Sequence, residues 1–350
     1  MSRAERDAWI AGIIGLAGAL IGWVVAPSQV PHAWLAALTA WIGWPLGSMA
    51  LLLTHALTGG RWGYAVRPAL VGGVCSLPLL IPALIPFLLT MPALYPWTHA
   101  DTASHLANHF YLNVPFFAGR GIVYLLVWFG LAGLILRALR SAEADPMLER
   151  LAPAGLILLA LTVTFAAIDT TMSLDPDFSS SAYGMIAAAG AGLFALAVAV
   201  LLTAAALPPA EIRADLGKLL LGLVVLWAYL DFMQVLIVWQ SDLASEAPWY
   251  SVRSTPFWAV IAALVAAAHF ALPFAMLLSP ALQRSRRCML CVAGLLIVAE
   301  ILYSWWLVLP AAPRGLRLID PAAMLAFGGC GVGLALRLRP RPLAAVAHHG

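Results

Sequence analysis

Residues 219–239 read LLLGLVVLWAYLDFMQVLIVW, a run whose one charged group is Asp231. Such a run has the length of the roughly 20 apolar residues a helix needs to cross a bilayer. Its polar residues, Tyr229, Asp231 and Gln234, are too few to build the polar face of a surface helix. Runs of the same kind recur at 8–26, 33–58, 68–90, 114–136, 151–171, 183–206, 219–241, 256–279, 289–309 and 320–336. The expected fold is therefore an all-α integral membrane protein of about ten transmembrane helices, a single polytopic domain over 1–350. The third span, with Pro78, Pro82 and Pro86 four residues apart, must kink or partly unwind, because each proline removes a backbone donor.

The composition agrees. Of 350 residues, 63% are hydrophobic and 10% carry a full charge, with a mean hydropathy of +0.93. A water-soluble globule is excluded, and the loops leave no room for a Rossmann, haem-bearing or nuclease domain. The net charge of +3 is spread in short clusters between apolar runs, so no nucleic acid is expected as a partner. Cys75, Cys288, Cys291 and Cys330 lie in or beside those runs, which suits neither a disulfide framework nor a four-cysteine metal site. Cys288 and Cys291 have redox-motif spacing but lack its βαβ context.

Basic residues report orientation, because Lys and Arg concentrate on the cytoplasmic side. One side holds Arg3, Arg6, Arg61, Arg67, Arg137, Arg140, Arg150, Arg213, Lys218, Arg284, Arg286, Arg287, Arg337, Arg339 and Arg341; the other holds Arg253, Arg314 and Arg317. Both termini are therefore expected on the cytoplasmic side. The first span, ending at Ala26-Pro27-Ser28, has the outline of a secretory signal. It is longer than a typical signal core and lacks a small-x-small cleavage site.

Ionisable groups at bilayer depth are costly and mark function by default. Counted from the span ends, Asp231, His269 and Glu300 fall at the midplanes of spans seven, eight and nine. Gln234, one turn from Asp231, shares its face, and Tyr229 and Tyr303 add hydroxyls. The set has the chemistry to pass protons, or to hold the bundle together. Arg120 in span four and Asp169 in span five lie at matching depth on the other side and are expected to pair, as a structural tie or as part of a proton path. His55 reads as an interfacial histidine. Neither paired histidines for haem nor a metal cluster can be assembled, so no metal is expected. Gly18-x-x-x-Gly22 and Gly43-Trp-Pro-Leu-Gly47 read as helix-packing faces, and the glycines at 328–333 are no dinucleotide loop.

The outer loops are rich in specific residues: Leu94-Tyr95-Pro96-Trp97-Thr98-His99 through Asn113, Met172-Ser173-Leu174-Asp175-Pro176-Asp177-Phe178, and Ala247-Pro248-Trp249-Tyr250. Tyr111, Asn113, Asp175, Trp249 and Arg253 are candidates for quinone-site or partner contacts there. Together with Gly59-Gly60-Arg61-Trp62-Gly63, Tyr111-Leu112-Asn113-x-Pro115-Phe116-Phe117-x-x-Arg120, Asp169-x-x-Met172, Trp227-x-Tyr229, His269-Phe270-x-x-Pro273-Phe274 and Trp305-Trp306-x-x-x-x-Pro310, these segments resemble the F subunit of bacterial alternative complex III.

The resemblance implies membership of the NrfD/polysulfide-reductase-like superfamily of membrane anchors. It implies two four-helix bundles, over 33–171 and 183–309, with peripheral helices at 8–26 and 320–336. It further implies a chain without a cofactor of its own, serving a quinol-oxidising respiratory complex by assembly surface and a proton pathway. An NrfD-like C subunit, an iron–sulfur protein, c-type cytochromes and membrane lipids would be its partners. Arg120, Asp169 and His269 match the family's motif positions; Asp231 and Glu300 rest on depth alone. The alternatives are a stand-alone proton-coupled transporter or channel, and a quinol-binding subunit using Asp169 with His99 or His109.

Overall fold

The computed structural model of the protein describes residues 1–99, 101, 108–203, 208–241, 246–312 and 315–338. Among the described residues there is no strand. Ten helices among the described residues are long and apolar enough to cross a membrane: α1 (Arg3–Val25), α2 (Pro27–Thr58), α3 (Arg61–Leu94), α4 (Val114–Ala138), α5 (Ala144–Leu174), α6 (Tyr183–Leu202), α7 (Ala210–Ser241), α8 (Pro256–Leu277), α9 (Arg286–Ala311) and α10 (Ile319–Leu338). The chain is a multi-pass all-α membrane protein, as its apolar runs dictate. Arg314, Arg339 and Arg341 of the charge count lie outside the described residues.

Helix ends depart from the apolar runs for local reasons. In α1 the helix reaches back to Arg3 because Ser2 caps it: its hydroxyl accepts from the Glu5 N–H at 3.1 Å, and the Glu5 carboxylate accepts from the Ser2 N–H at 3.3 Å. This reciprocal pair satisfies two orphan donors. Likewise α7 begins well before its apolar run, with Glu211, Arg213, Asp215 and Lys218 in the added turns. There Arg213 donates to the carbonyls of Arg284 at 2.7 Å and Pro208 at 2.6 Å. In α3 the break falls where the prolines place it, as a 3-10 turn over Leu77–Leu79 between Arg61–Ser76 and Leu80–Leu94.

At the centre, α2 packs against α3, α5, α6, α9 and α10. Its close approach to α6 depends on Gly47, where an added Cβ would collide with the Ala191 carbonyl. On the flank α1 and α10 pair tightly, with Gly12 against Gly329 and Gly15 against Ala326 leaving backbone on backbone, and α10 rests on α2 and α3. The run at 328–333 thus packs as a helix face, with Gly331 against Trp41 and Gly333 against Trp9. His55 is buried near the end of α2, its Nε2 at 2.8 Å from the Gly60 carbonyl and its ring between Trp62 and Tyr64. All four cysteines are free.

Candidate functional site

Helices α7, α8 and α9 each bring one titratable group to mid-span, and two of the three meet directly. His269 Nε2 lies 3.4 Å from Glu300 Oε2, an ion-pair distance that lacks hydrogen-bond geometry. His269 Nδ1 is buried without a hydrogen-bond partner, so Glu300 is the polar group that the imidazole faces. The Trp227 ring stands edge-on to the imidazole, with centroids 3.9 Å apart at 85°. His269 sits in a π-helical turn, Ala266–Ala271, inserted in α8. The cause is visible in the sequence: Pro273 has no N–H to return to the His269 carbonyl four residues back, which an α-helix would require.

Asp231 joins this group through Tyr303, whose hydroxyl donates to Asp231 Oδ1 at 3.1 Å. Tyr303 also lies parallel to the His269 ring, with centroids 6.4 Å apart, and edge-on to Trp227 at 5.1 Å. Trp227 and Tyr303 form a partition between two cavities. One, of about 410 Å³, is lined by α2–α6 together with Trp227 of α7 and Glu300 and Tyr303 of α9, and is mostly apolar, with Asp169 and Tyr124 among its polar lining and Leu88 of α3 and Ile122 of α4 among its exposed lining. The other, of about 680 Å³, is a cleft between α7 and α8 with Asp231 on its wall and Arg253 at one end. Glu300 and Asp231 therefore face different cavities across one tyrosine–tryptophan wall.

The expected Arg120–Asp169 pair is present and bidentate. Arg120 Nε donates to Asp169 Oδ2 at 2.9 Å and Nη2 to Oδ1 at 2.8 Å, the fork geometry that guanidinium and carboxylate share. Tyr124, one turn after Arg120, donates to Asp169 Oδ2 at 2.6 Å. Arg120 Nη1 donates to the Tyr111 carbonyl at 3.0 Å, and its guanidinium lies 3.8 Å over the Tyr111 ring and 4.4 Å over Phe116. Burial raises the Tyr111 hydroxyl above its ordinary pKa, and Asp169 adds to the shift. Both Asp169 oxygens are thus occupied. His99 bonds the Pro92 carbonyl at 3.0 Å instead, and the Asp169–histidine pair that the quinol-binding alternative would use gives way to the guanidinium fork.

Several other expectations are corrected. Tyr229 is 58% exposed and lines the α7–α8 cleft together with Asp231, rather than lying inside the group that His269, Glu300 and Tyr303 form. Gln234 is buried but belongs to the loops: Ser180 donates to its Oε1 at 2.6 Å, and its Nε2 donates to the Tyr250 hydroxyl at 3.1 Å. Trp249 and Arg253, expected as outer-face contacts, are 1% and 5% exposed. The short helix Ala247–Arg253 folds inward, stacking Trp249 on Phe178 at 4.5 Å and sending Arg253 to the carbonyls of Trp249 at 2.8 Å and Leu307 at 2.6 Å. The Arg253 guanidinium lies 3.5 Å over the Trp249 ring, and burial lowers its pKa to about 10, which leaves it charged at neutral pH.

Asn113 caps α4, accepting from the Phe116 N–H at 2.9 Å. Asp175 is half-buried in its turn, and burial raises its pKa. Sequence reasoning had not singled out Tyr124, Trp227, Ser180 or Tyr250 as site residues. Tyr124 was legible as the residue four after Arg120, and Trp227 as the one four before Asp231; Ser180 reaches Gln234 from a loop and Tyr250 from the short helix Ala247–Arg253, where spacing along α7 carries no signal. Among the described residues no three His, Cys, Asp or Glu side chains gather as a metal-holding group. No protein-family profile matches the chain, and no curated protein matches it either.

Proposed function

We propose that the chain is an integral subunit of a bacterial quinol-oxidising respiratory complex of the alternative complex III kind, and that its α7–α9 carry protons. In this reading it lies in the inner membrane with both termini cytoplasmic and binds no cofactor itself. The observation that carries the proton-transfer part is the chain of contacts Glu300–His269 and Tyr303–Asp231 across the wall between two cavities. Three titratable groups brought together at mid-span exceed what helix packing needs, since one hydrogen bond between helices suffices to orient a pair. Glu300 takes up a proton on the side of the inter-helical cavity and exchanges it with His269 Nε2. Water completes the step to Tyr303, whose hydroxyl delivers to Asp231 and the α7–α8 cleft.

The assignment to a respiratory complex rests on the family-like segments from Gly59 to Pro310. Purification of the tagged chain in mild detergent tests it: co-purification with iron–sulfur and c-type cytochrome subunits supports it, whereas a stable solitary protein with proton-coupled uptake in liposomes favours a transporter. A quinol-binding role is a second reading, favoured by the apolar cavity whose lining includes the exposed Leu88 and Ile122, which we take as its mouth. A quinol analogue protecting that mouth from cysteine labelling, at Ile122→Cys, would support it.

A further inference from the structure

The α7–α8 cleft leaves a carboxylate facing the membrane with only a neutral partner. Asp231 lines the cleft and accepts from Tyr303 through Oδ1; among the described residues no ion pair includes it. Tyr229 and Phe232 on the same stretch of α7 are exposed, and so are Ala259 and Ala266 on the facing wall of α8. Contact between the two helices is made mainly by the part of α8 from the π-turn onward, and at most sparsely by the part before it, Pro256–Val265. The gap measures about 680 Å³.

Hydrocarbon is a poor cover for such a groove, because an ionisable group at bilayer depth needs a partner or water. We infer that the cleft docks a transmembrane helix of a neighbouring subunit that places a basic side chain against Asp231. Ala259, Ala262 and Ala266 present Cβ atoms only, which lets a helix backbone approach closely. Tyr229 and Phe232 form the apolar rim, and the carboxylate supplies the charge complement that fixes register. A lipid chain would fill the volume and bring no donor. This inference rests on the reading of the chain as a subunit of a larger complex.

The test uses the chain in its native membranes with a photoreactive benzoylphenylalanine at Ala262, and at Ile14 of α1 as a lipid-facing control. The expected result is a cross-link from position 262 to one transmembrane peptide of another subunit carrying Lys or Arg at the depth of Asp231. That cross-link should fall at least tenfold in Asp231→Arg and return when the mapped basic residue is exchanged for Asp. Cross-links to lipid alone, as at Ile14, or to a second copy of this chain, overturn the inference. If the chain still co-purifies with its complex in those cases, the subunit reading survives; if it purifies alone, that reading fails as well. Should the photoreactive variant not accumulate, Ala262→Cys in wild-type background reports the same cover: slow maleimide labelling in the complex and fast labelling after dissociation support docking, and equal rates overturn it.

Discussion

Replacing Asp169 by alanine removes the acceptor of three side-chain hydrogen bonds, two from Arg120 at 2.9 and 2.8 Å and one from Tyr124 at 2.6 Å. The two charged side chains are 11% and 2% exposed. Breaking a buried pair by removing one partner costs about 3–5 kcal/mol, since the other charge is left uncompensated. Arg120 keeps the Tyr111 carbonyl and two aromatic faces, which puts the cost at the low end, about 3 kcal/mol. The orphaned Tyr124 hydroxyl adds about 1 kcal/mol. We therefore expect Asp169→Ala to destabilise by about 4 kcal/mol, and Arg120→Leu with Asp169→Leu to recover about half of that, because apolar residues replace a buried pair at little cost. Reversible unfolding in bicelles, read by steric trapping between α4 and α5, measures both. If Asp169→Ala costs less than about 1 kcal/mol, near the average for one interhelical hydrogen bond in a bilayer, the pair is no structural tie.

Other outcomes follow from the packing and the site. Gly47→Ala should destabilise by about 2 kcal/mol or more through overpacking, because its Cβ meets the Ala191 backbone, whereas Gly133→Ala, which meets open space, should not destabilise in the same unfolding assay. Tyr303→Phe removes the donor to Asp231; proton transfer should slow at least tenfold for a stability loss of about 1–2 kcal/mol, since bonds to charged groups are worth little more. Pro273→Ala restores a helix donor beside the π-turn; the protein should gain thermal stability while proton transfer falls, as the His269 ring turns off Glu300, and unchanged transfer would separate the π-turn from function.

Most of the fold was legible because its physics is local. Each apolar run had to become a helix that satisfies its own backbone in lipid, and the prolines of α3 dictated its break. The Arg120–Asp169 pair was legible too, since two charges at matching depth on successive antiparallel helices have few other ways to be neutralised. Of the two hydroxyls expected near Asp231, Tyr303 bonds it and Tyr229 lines the same cleft from an exposed position. Other features were beyond local reasoning. Gln234 shares the Asp231 face by spacing, yet Ser180 from a loop and Tyr250 from the short helix Ala247–Arg253 claim it. Trp249 and Arg253 turn inward because Phe178 and the Leu307 carbonyl, far along the chain, lie beneath them.

The proton path itself is tested most directly in the assembled complex, reconstituted in liposomes with a pH-sensitive dye and supplied with quinol and an electron acceptor. Asp231→Asn and Glu300→Gln keep the side-chain shapes and remove the titration. The account predicts that both lower the protons moved per electron while quinol oxidation continues at its wild-type rate. An unchanged proton ratio in both variants would contradict it.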